Sequence, residues 1–168
     1  MPAPTLAPSS KLKGSRILIA DENPATLEFF SRLLEDRGFT TMTADSGEAV
    51  LQFLSGKKMM EDDERDWEFT GSDVTIPPQP LSTSLSVILI GDLMKPPIDG
   101  LDLIRRLRSQ SIPIVVATSY GADYTLLAKM AGAEVIIHKF ADPIYLLTTI
   151  EGALQSRIFP PFLRTPPK

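Results

Sequence analysis

Short apolar, β-branched runs alternate along this chain with segments in which apolar residues recur every three or four positions. Arg16 to Ala20 is the first such run and reads as a buried strand. Asn23 then offers a side-chain cap, and Pro24 takes the first helical position, where a missing N–H costs nothing. Leu27, Phe30, Leu33 and Leu34 carry the apolar stripe of that helix, and Gly38 ends it. Phe39 to Ala44 predicts a second, more polar strand, and Ser46 caps a helix through Ala49, Val50, Phe53 and Leu54 that stops near Gly56. Leu85 to Gly91 is the most apolar run, which suits a central strand. From about Gly100 a helix turns Leu101, Ile104 and Leu107 inward and Arg105, Arg106 and Arg108 outward. Ile112 to Ala117 predicts a strand, Asp123 to Gly132 a short helix, and Val135 to Ile137 a fifth strand. Asp142 and Pro143 repeat the cap-plus-proline signal and open a last helix to about Arg157. Its core positions are Ile144, Leu147, Ile150 and Leu154, with Tyr145 and Leu146 left for a partner surface.

Strands alternating with helices predict a three-layer α/β/α fold, a parallel sheet covered on both faces. Five such units suit a flavodoxin-like doubly wound sheet of five helices and five strands in the order 2-1-3-4-5. Sites on such sheets lie beyond the carboxyl ends of the strands, here just after Ala20, Gly91, Ala117 and Ile137. Residues 57–84 break the rhythm, as an insertion between the second helix and the third strand. It is longer than the roughly 12–15 residues usual for a structureless loop. It opens with the charged run Glu61 to Asp66, expected to be a solvated face, and a small hairpin turning at Gly71 is expected within it. Residues 1–13 and 159–168, rich in proline and poor in packable side chains, read as disordered tails and leave 14–158 as the domain.

Composition narrows the chemistry. The 168 residues include no cysteine and one histidine, His138, which excludes thiol catalysis, disulfides and Cys- or His-rich metal centres. A metal here would be a hard cation held by oxygen. With a net charge of −4, the chain lacks the basic footprint that direct nucleic-acid binding needs. No apolar run approaches the roughly 20 residues of a membrane helix. Residues 1–13 lack an apolar signal core, so a cytoplasmic location is expected.

The predicted strand ends carry a constellation. Asp21 and Glu22 follow the first strand, Asp92 the third, Thr118 and Ser119 the fourth, and Lys139 the fifth. Taken singly, these are solvated acids, a structural hydroxyl and a surface charge. Brought to one edge, three carboxylates repel one another, and an oxygen-bound divalent cation relieves the repulsion. A lysine adds positive charge, a hydroxyl can bond an oxyanion, and a carboxylate can act as nucleophile, so the set suits receiving a phosphoryl group. No GxGxxG or GxxxxGK occurs, which leaves dinucleotide and P-loop readings without support. His138 is expected to be structural or exposed.

Here the sequence resembles the receiver domain of bacterial two-component response regulators. Ile17 to Pro24 is similar to that family's acidic first strand end. Asp92 to Gly100 resembles its phosphoacceptor loop, with Pro96, Asp99 and Gly100 at the expected spacing. Ile112 to Ser119 resembles the strand bearing its switch hydroxyl, and Ala131-Gly132-Ala133 with the strand to Lys139 resembles its lysine strand. The resemblance spans about Arg16 to Arg157 apart from the insertion. It implies that Asp92 accepts phosphate from a histidine kinase or histidine phosphotransfer protein. It further implies that Asp21, Glu22, Asp92 and the Met94 carbonyl hold Mg2+. Lys139 would contact the phosphate, Thr118 would switch toward it, and Ser119 would leave it room. Such a domain is no enzyme beyond its own phosphotransfer and autodephosphorylation. It would signal to an unknown downstream protein and could pair as a homodimer through its fourth helix, fifth strand and fifth helix. With only Phe159 to Lys168 following, a stand-alone receiver or a fragment of a larger protein is expected.

Departures from that pattern define an alternative. Ile136 stands where an aromatic is common, and Phe140 replaces the proline after the lysine, so a trans bond is expected there. Gly91 precedes the acceptor in place of a larger apolar residue, and Lys95 brings an added charge. Ile136, Phe140 and the insertion favour a pseudo-receiver, a protein-binding scaffold that works without phosphate, whereas the intact acid cluster favours the phosphoacceptor. A metal-dependent phosphatase using Asp92 is disfavoured by Met94, which stands where its second acid would be.

Overall fold

The most apolar runs pair side by side because they are too hydrophobic on both faces to sit at a surface. The structure, a computed structural model, describes residues 14–55 and 85–158, the last three by backbone alone. Along the chain run β1 (Arg16–Ala20), α1 (Pro24–Glu35), β2 (Thr40–Ala44), α2 (Gly47–Ser55) and β3 (Leu85–Ile90). They are followed by α3 (Gly100–Leu107), β4 (Ile114–Thr118), α4 (Ala122–Ala131), β5 (Val135–His138) and α5 (Pro143–Ile158). The five strands form one parallel sheet in the order β2-β1-β3-β4-β5, as expected. The expected tails, the insertion, its charged run and the hairpin at Gly71 lie outside the described residues.

Alternation along the strands sends side chains to two layers. Leu18, Ile88, Ile90 and Val116 pack with Val50, Leu103, Ile104, Leu107 and Ala128 from α2, α3 and α4. Ile17, Ile19, Val87, Leu89 and Val115 pack on the other face with Phe30, Leu34, Leu147 and Ile150 from α1 and α5. Each fully buried aliphatic side chain contributes about 1.5–3 kcal/mol, so β1, β3 and β4, buried on both faces, form a stiff platform for the residues at their ends.

The helix starts are capped where the sequence offers caps. Asn23 Oδ1 accepts the Ala25 N–H at 2.9 Å, Ser46 Oγ the Ala49 N–H at 3.2 Å and Asp142 Oδ1 the Ile144 N–H at 2.8 Å. Gly38 turns the chain after α1 at a φ of 84°, which favours glycine. β4 begins at Ile114 rather than Ile112, because Pro113 has no N–H to give; its carbonyl still accepts the Ile88 N–H at 3.0 Å. In α3 Leu103 joins Ile104 and Leu107 in the core, and Leu101, partly buried, packs against it. α5 keeps its expected core at Leu147, Ile150 and Leu154 and differs from expectation only at Ile144 and Leu146. Leu146 is fully buried beside Leu147, Ile150, Ala153 and Leu154, whereas Ile144 and Tyr145 are exposed. The Lys139–Phe140 bond is trans. α2 ends and β3 begins at the amino edge of the sheet, opposite the strand ends considered next. Among the described residues, no helix is long and apolar enough to cross a membrane.

Candidate functional site

Parallel strands bring their carboxyl ends to one edge, and β1, β3, β4 and β5 there deliver the expected residues together. Asp21 leaves β1 with 1% of its surface exposed. Its carboxylate is held on three sides. Oδ1 accepts the Asn23 N–H at 2.8 Å, Oδ2 accepts the Asp92 N–H at 3.0 Å, and Lys139 Nζ lies 2.6 Å from Oδ2. Gly91 makes this possible, because a Cβ at that position would lie 2.0 Å from Asp21 Oδ2. The carboxylate occupies the space that any other residue would fill.

Asp92 follows β3 and gathers donors from β4 and β5. The Thr118 hydroxyl donates to Oδ1 at 2.7 Å, and the Ser119 hydroxyl to Oδ2 at 2.6 Å. The Ser119 N–H reaches both oxygens, at 3.3 and 3.2 Å, and Lys139 Nζ lies 3.2 Å from Oδ2. Partial burial pushes the Asp92 carboxyl up, but the bonds from Ser119, Thr118 and Lys139 outweigh it and hold the carboxyl below its ordinary value. Burial likewise pushes the Lys139 ammonium down, and Asp21 and Asp92 together outweigh that and raise it. Lys139 thus remains charged, lying between Asp21 and Asp92. Its backbone N–H donates to the Thr118 carbonyl at 2.9 Å, which ties β5 to the hydroxyl-bearing end of β4.

Glu22 goes elsewhere. Its Oε1 accepts the N–H groups of Met94 and Lys95, at 2.6 and 2.5 Å, so its carboxylate closes on the β3–α3 loop. Its own N–H reaches the Asp92 carbonyl at 3.5 Å. The edge therefore gathers Asp21, Asp92, Thr118, Ser119 and Lys139 around one carboxylate, with Glu22 and exposed Met94 beside it. Among the described residues, no three acidic or imidazole side chains are disposed to hold a metal ion. As arranged, the set does not fit the cation site expected of Asp21, Glu22, Asp92 and the Met94 carbonyl. The ammonium of Lys139 contacts two of those acids, and backbone amides take the third. His138 is exposed, and its Nδ1 accepts the Phe140 N–H at 3.2 Å.

Tyr124, on the first turns of α4, drew no attention in the sequence. Its hydroxyl is buried with no partner, and a Cβ on Gly100 would lie 2.8 Å from its oxygen. Burial, then the negative charges of Asp92 and Asp99, push its phenol up to about 12. Its ring lies 5.3 Å from that of Tyr120, on the loop that Thr118 and Ser119 begin. A tyrosine at that position carries no periodic signal. Gly91 did carry one, a glycine closing the most apolar strand, which marks close approach of another group.

No family model matches the chain, and no curated protein matches it. Solved structures do. A response regulator receiver domain protein from Clostridium thermocellum is 20% identical over 86% of this chain and 97% of its own, with a TM-score of 0.65. A CheY-like receiver domain protein from Methanospirillum hungatei is 19% identical over 87% and 98% of the two chains, with a TM-score of 0.65. The signal receiver domain of a signal transduction histidine kinase from Syntrophus aciditrophicus is 19% identical over 91% and 99%, with a TM-score of 0.63. At such identities what is shared is the fold: the chain has the fold of response regulator receiver domains.

Proposed function

We propose that this chain is a phosphoacceptor receiver of two-component signalling, in which Asp92 takes a phosphoryl group from the phosphohistidine of a kinase or phosphotransfer protein. The observation that carries the reading is the carboxylate of Asp92, kept ionised by Thr118, Ser119 and Lys139 at the exit edge of a receiver-type sheet. One Asp92 oxygen attacks phosphorus while the bond from phosphorus to the imidazole nitrogen breaks. The nitrogen leaves with the electron pair and picks up a proton from water, and the product is an acyl phosphate. The donors now on the carboxylate are the ones available to the new phosphoryl oxygens, with Lys139 offsetting their charge. Because Thr118, Ser119 and Tyr120 are consecutive, moving those donors re-sets the loop into α4, a shift between populations of one fold.

The test is intact mass after incubation with acetyl phosphate and Mg2+. A gain of one phosphoryl group, absent in Asp92→Ala, is expected. No gain, or an equal gain in the variant, overturns the reading. A second reading, a scaffold that works without phosphate, is favoured by one observation: Lys139 and the backbone amides already satisfy all three acids. That reading expects an unmodified Asp92 under the same conditions.

A further inference from the structure

We infer that Tyr124 is a positioning residue that fixes the start of α4 to the acceptor loop through Gly100, and that its buried hydroxyl keeps this hold reversible. The starts of α1, α2, α3 and α5 each take a side-chain cap, from Asn23, Ser46, Asp99 and Asp142. α4 begins after Gly121, which offers none. It fully buries only the small Ala128 and Ala131, while Leu126, Leu127 and Met130 face out. Of the large apolar and aromatic side chains on α4, Tyr124 is the one packed against the core.

Tyr124 also closes a circuit of contacts around the acceptor. Asp92 Oδ1 accepts the Thr118 hydroxyl, and Thr118 Oγ1 accepts the Tyr120 N–H at 3.1 Å. The Tyr120 ring meets the Tyr124 ring, whose hydroxyl closes on Gly100 at the start of α3. The Gly100 N–H donates to the carbonyl of Leu93, next to Asp92, at 2.7 Å. The circuit starts and ends at Asp92, and Tyr124 is its link between α4 and α3. The same residue carries the cost of the hold. Its hydroxyl oxygen has no hydrogen-bond partner among the described residues. A buried hydroxyl left unpaired favours any state that returns it to water. Docked α4 therefore competes with a position in which the phenol swings out, and a small bias from the contacts at Asp92 chooses between them. That choice sets how the exposed face of α4 is presented. The hold is a matter of packing, and it does not depend on phosphoryl transfer at Asp92.

The test follows two backbone amides by NMR hydrogen exchange in the uniformly 15N-labelled full chain: Thr125, bonded to the Gly121 carbonyl, and Gly100, bonded to the Leu93 carbonyl. Tyr124→Phe keeps the ring and removes the unpaired oxygen, and is expected to slow both amides about tenfold. Gly100→Ala sets a methyl 2.8 Å from the Tyr124 oxygen, while its next neighbours, both on Leu93, lie at 3.4 and 3.7 Å. It is expected to push the phenol out and to speed both amides about tenfold. Because the methyl meets the oxygen first, the double variant is expected within about twofold of Tyr124→Phe alone. A Tyr124→Phe chain that exchanges as fast as the wild type, or faster, overturns the reversible hold. Gly100→Ala without effect overturns the link through Gly100, as does a double variant in which the two effects merely add, the result that loss of packing alone would give.

Discussion

Two surfaces of this molecule reverse the usual rule of burial. At the carboxyl edge of the sheet, Asp21 and Lys139 are buried charges, 1% and 8% exposed, and their neighbours Asp92 and Thr118 share their hydrogen bonds. Around α4 and the start of α5, large apolar side chains face out: Leu126 at 62%, Met130 at 72%, Phe140 at 78% and Tyr145 at 57%. Buried charge persists only when paired, and at this edge Lys139 lies against both Asp21 and Asp92. Exposed hydrophobes have no such internal remedy, and a contiguous group of them marks a surface for association. The difference teaches that the first region compensates its burial by contacts within the chain, whereas the second, among the described residues, leaves apolar side chains open to a partner.

The strongest way to break that contrast is Lys139→Ala. It leaves Asp21 and Asp92 facing one another unneutralised, at a cost of about 3 kcal/mol in urea unfolding. A loss under about 1 kcal/mol would mean that the edge does not depend on internal pairing. Gly91→Val comes next. Its side chain occupies the place of the Asp21 carboxylate, and a cost of about 2 kcal/mol is expected from overpacking and displacement.

The pH dependence of stability is a milder probe. The folded Asp92 carboxyl lies below its ordinary 3.8, so its contribution is full above that value and is lost as pH falls through the folded pKa. Folded Lys139 lies above its ordinary 10.5, so its contribution is full below that value and is lost as pH rises through the folded pKa. Stability followed by circular dichroism should therefore fall in strong acid and in strong alkali. Lys139→Ala should remove the alkaline component of this group. The smallest effect is expected at the other surface. Leu126→Ser with Met130→Ser should change the stability of the isolated chain by under about 0.5 kcal/mol each. A larger loss that grows with protein concentration would sharpen the contrast by revealing a second copy as the missing cover.

The architecture was legible in the sequence because the strands are buried on both faces and the helices start at Asn23, Ser46 and Asp142, whose caps the structure retains. Elements so marked leave one parallel order that brings Asp21, Asp92, Thr118, Ser119 and Lys139 to a common edge. The burial of Leu146 in place of Ile144 in α5 was not legible. Ile144, Tyr145, Leu146 and Leu147 are all apolar or aromatic, so periodicity alone cannot choose the stripe, and the sheet chooses it by contact. Nor was the parting of Asp21 from Glu22. Successive residues leave a strand end on opposite sides, and the amides that claim Glu22 lie in a loop 72 and 73 residues away. No local pattern reports such a partner. The unpartnered hydroxyl of Tyr124 was hidden for the same reason, since it closes on Gly100 of another helix.

The junction between α2 and β3 has a practical meaning. Both Ser55 and Leu85 sit at the sheet's amino edge, so whatever joins them is anchored at the pole remote from Asp92. That makes the join a natural point at which to reopen the chain. A permuted version beginning at β3 would carry the acceptor loop, both hydroxyls and Lys139 in its first half, and the two acids Asp21 and Glu22 in its second. Split at that point, the two halves would regain the pocket only on reassociation, and the acid edge would become a readout of complementation.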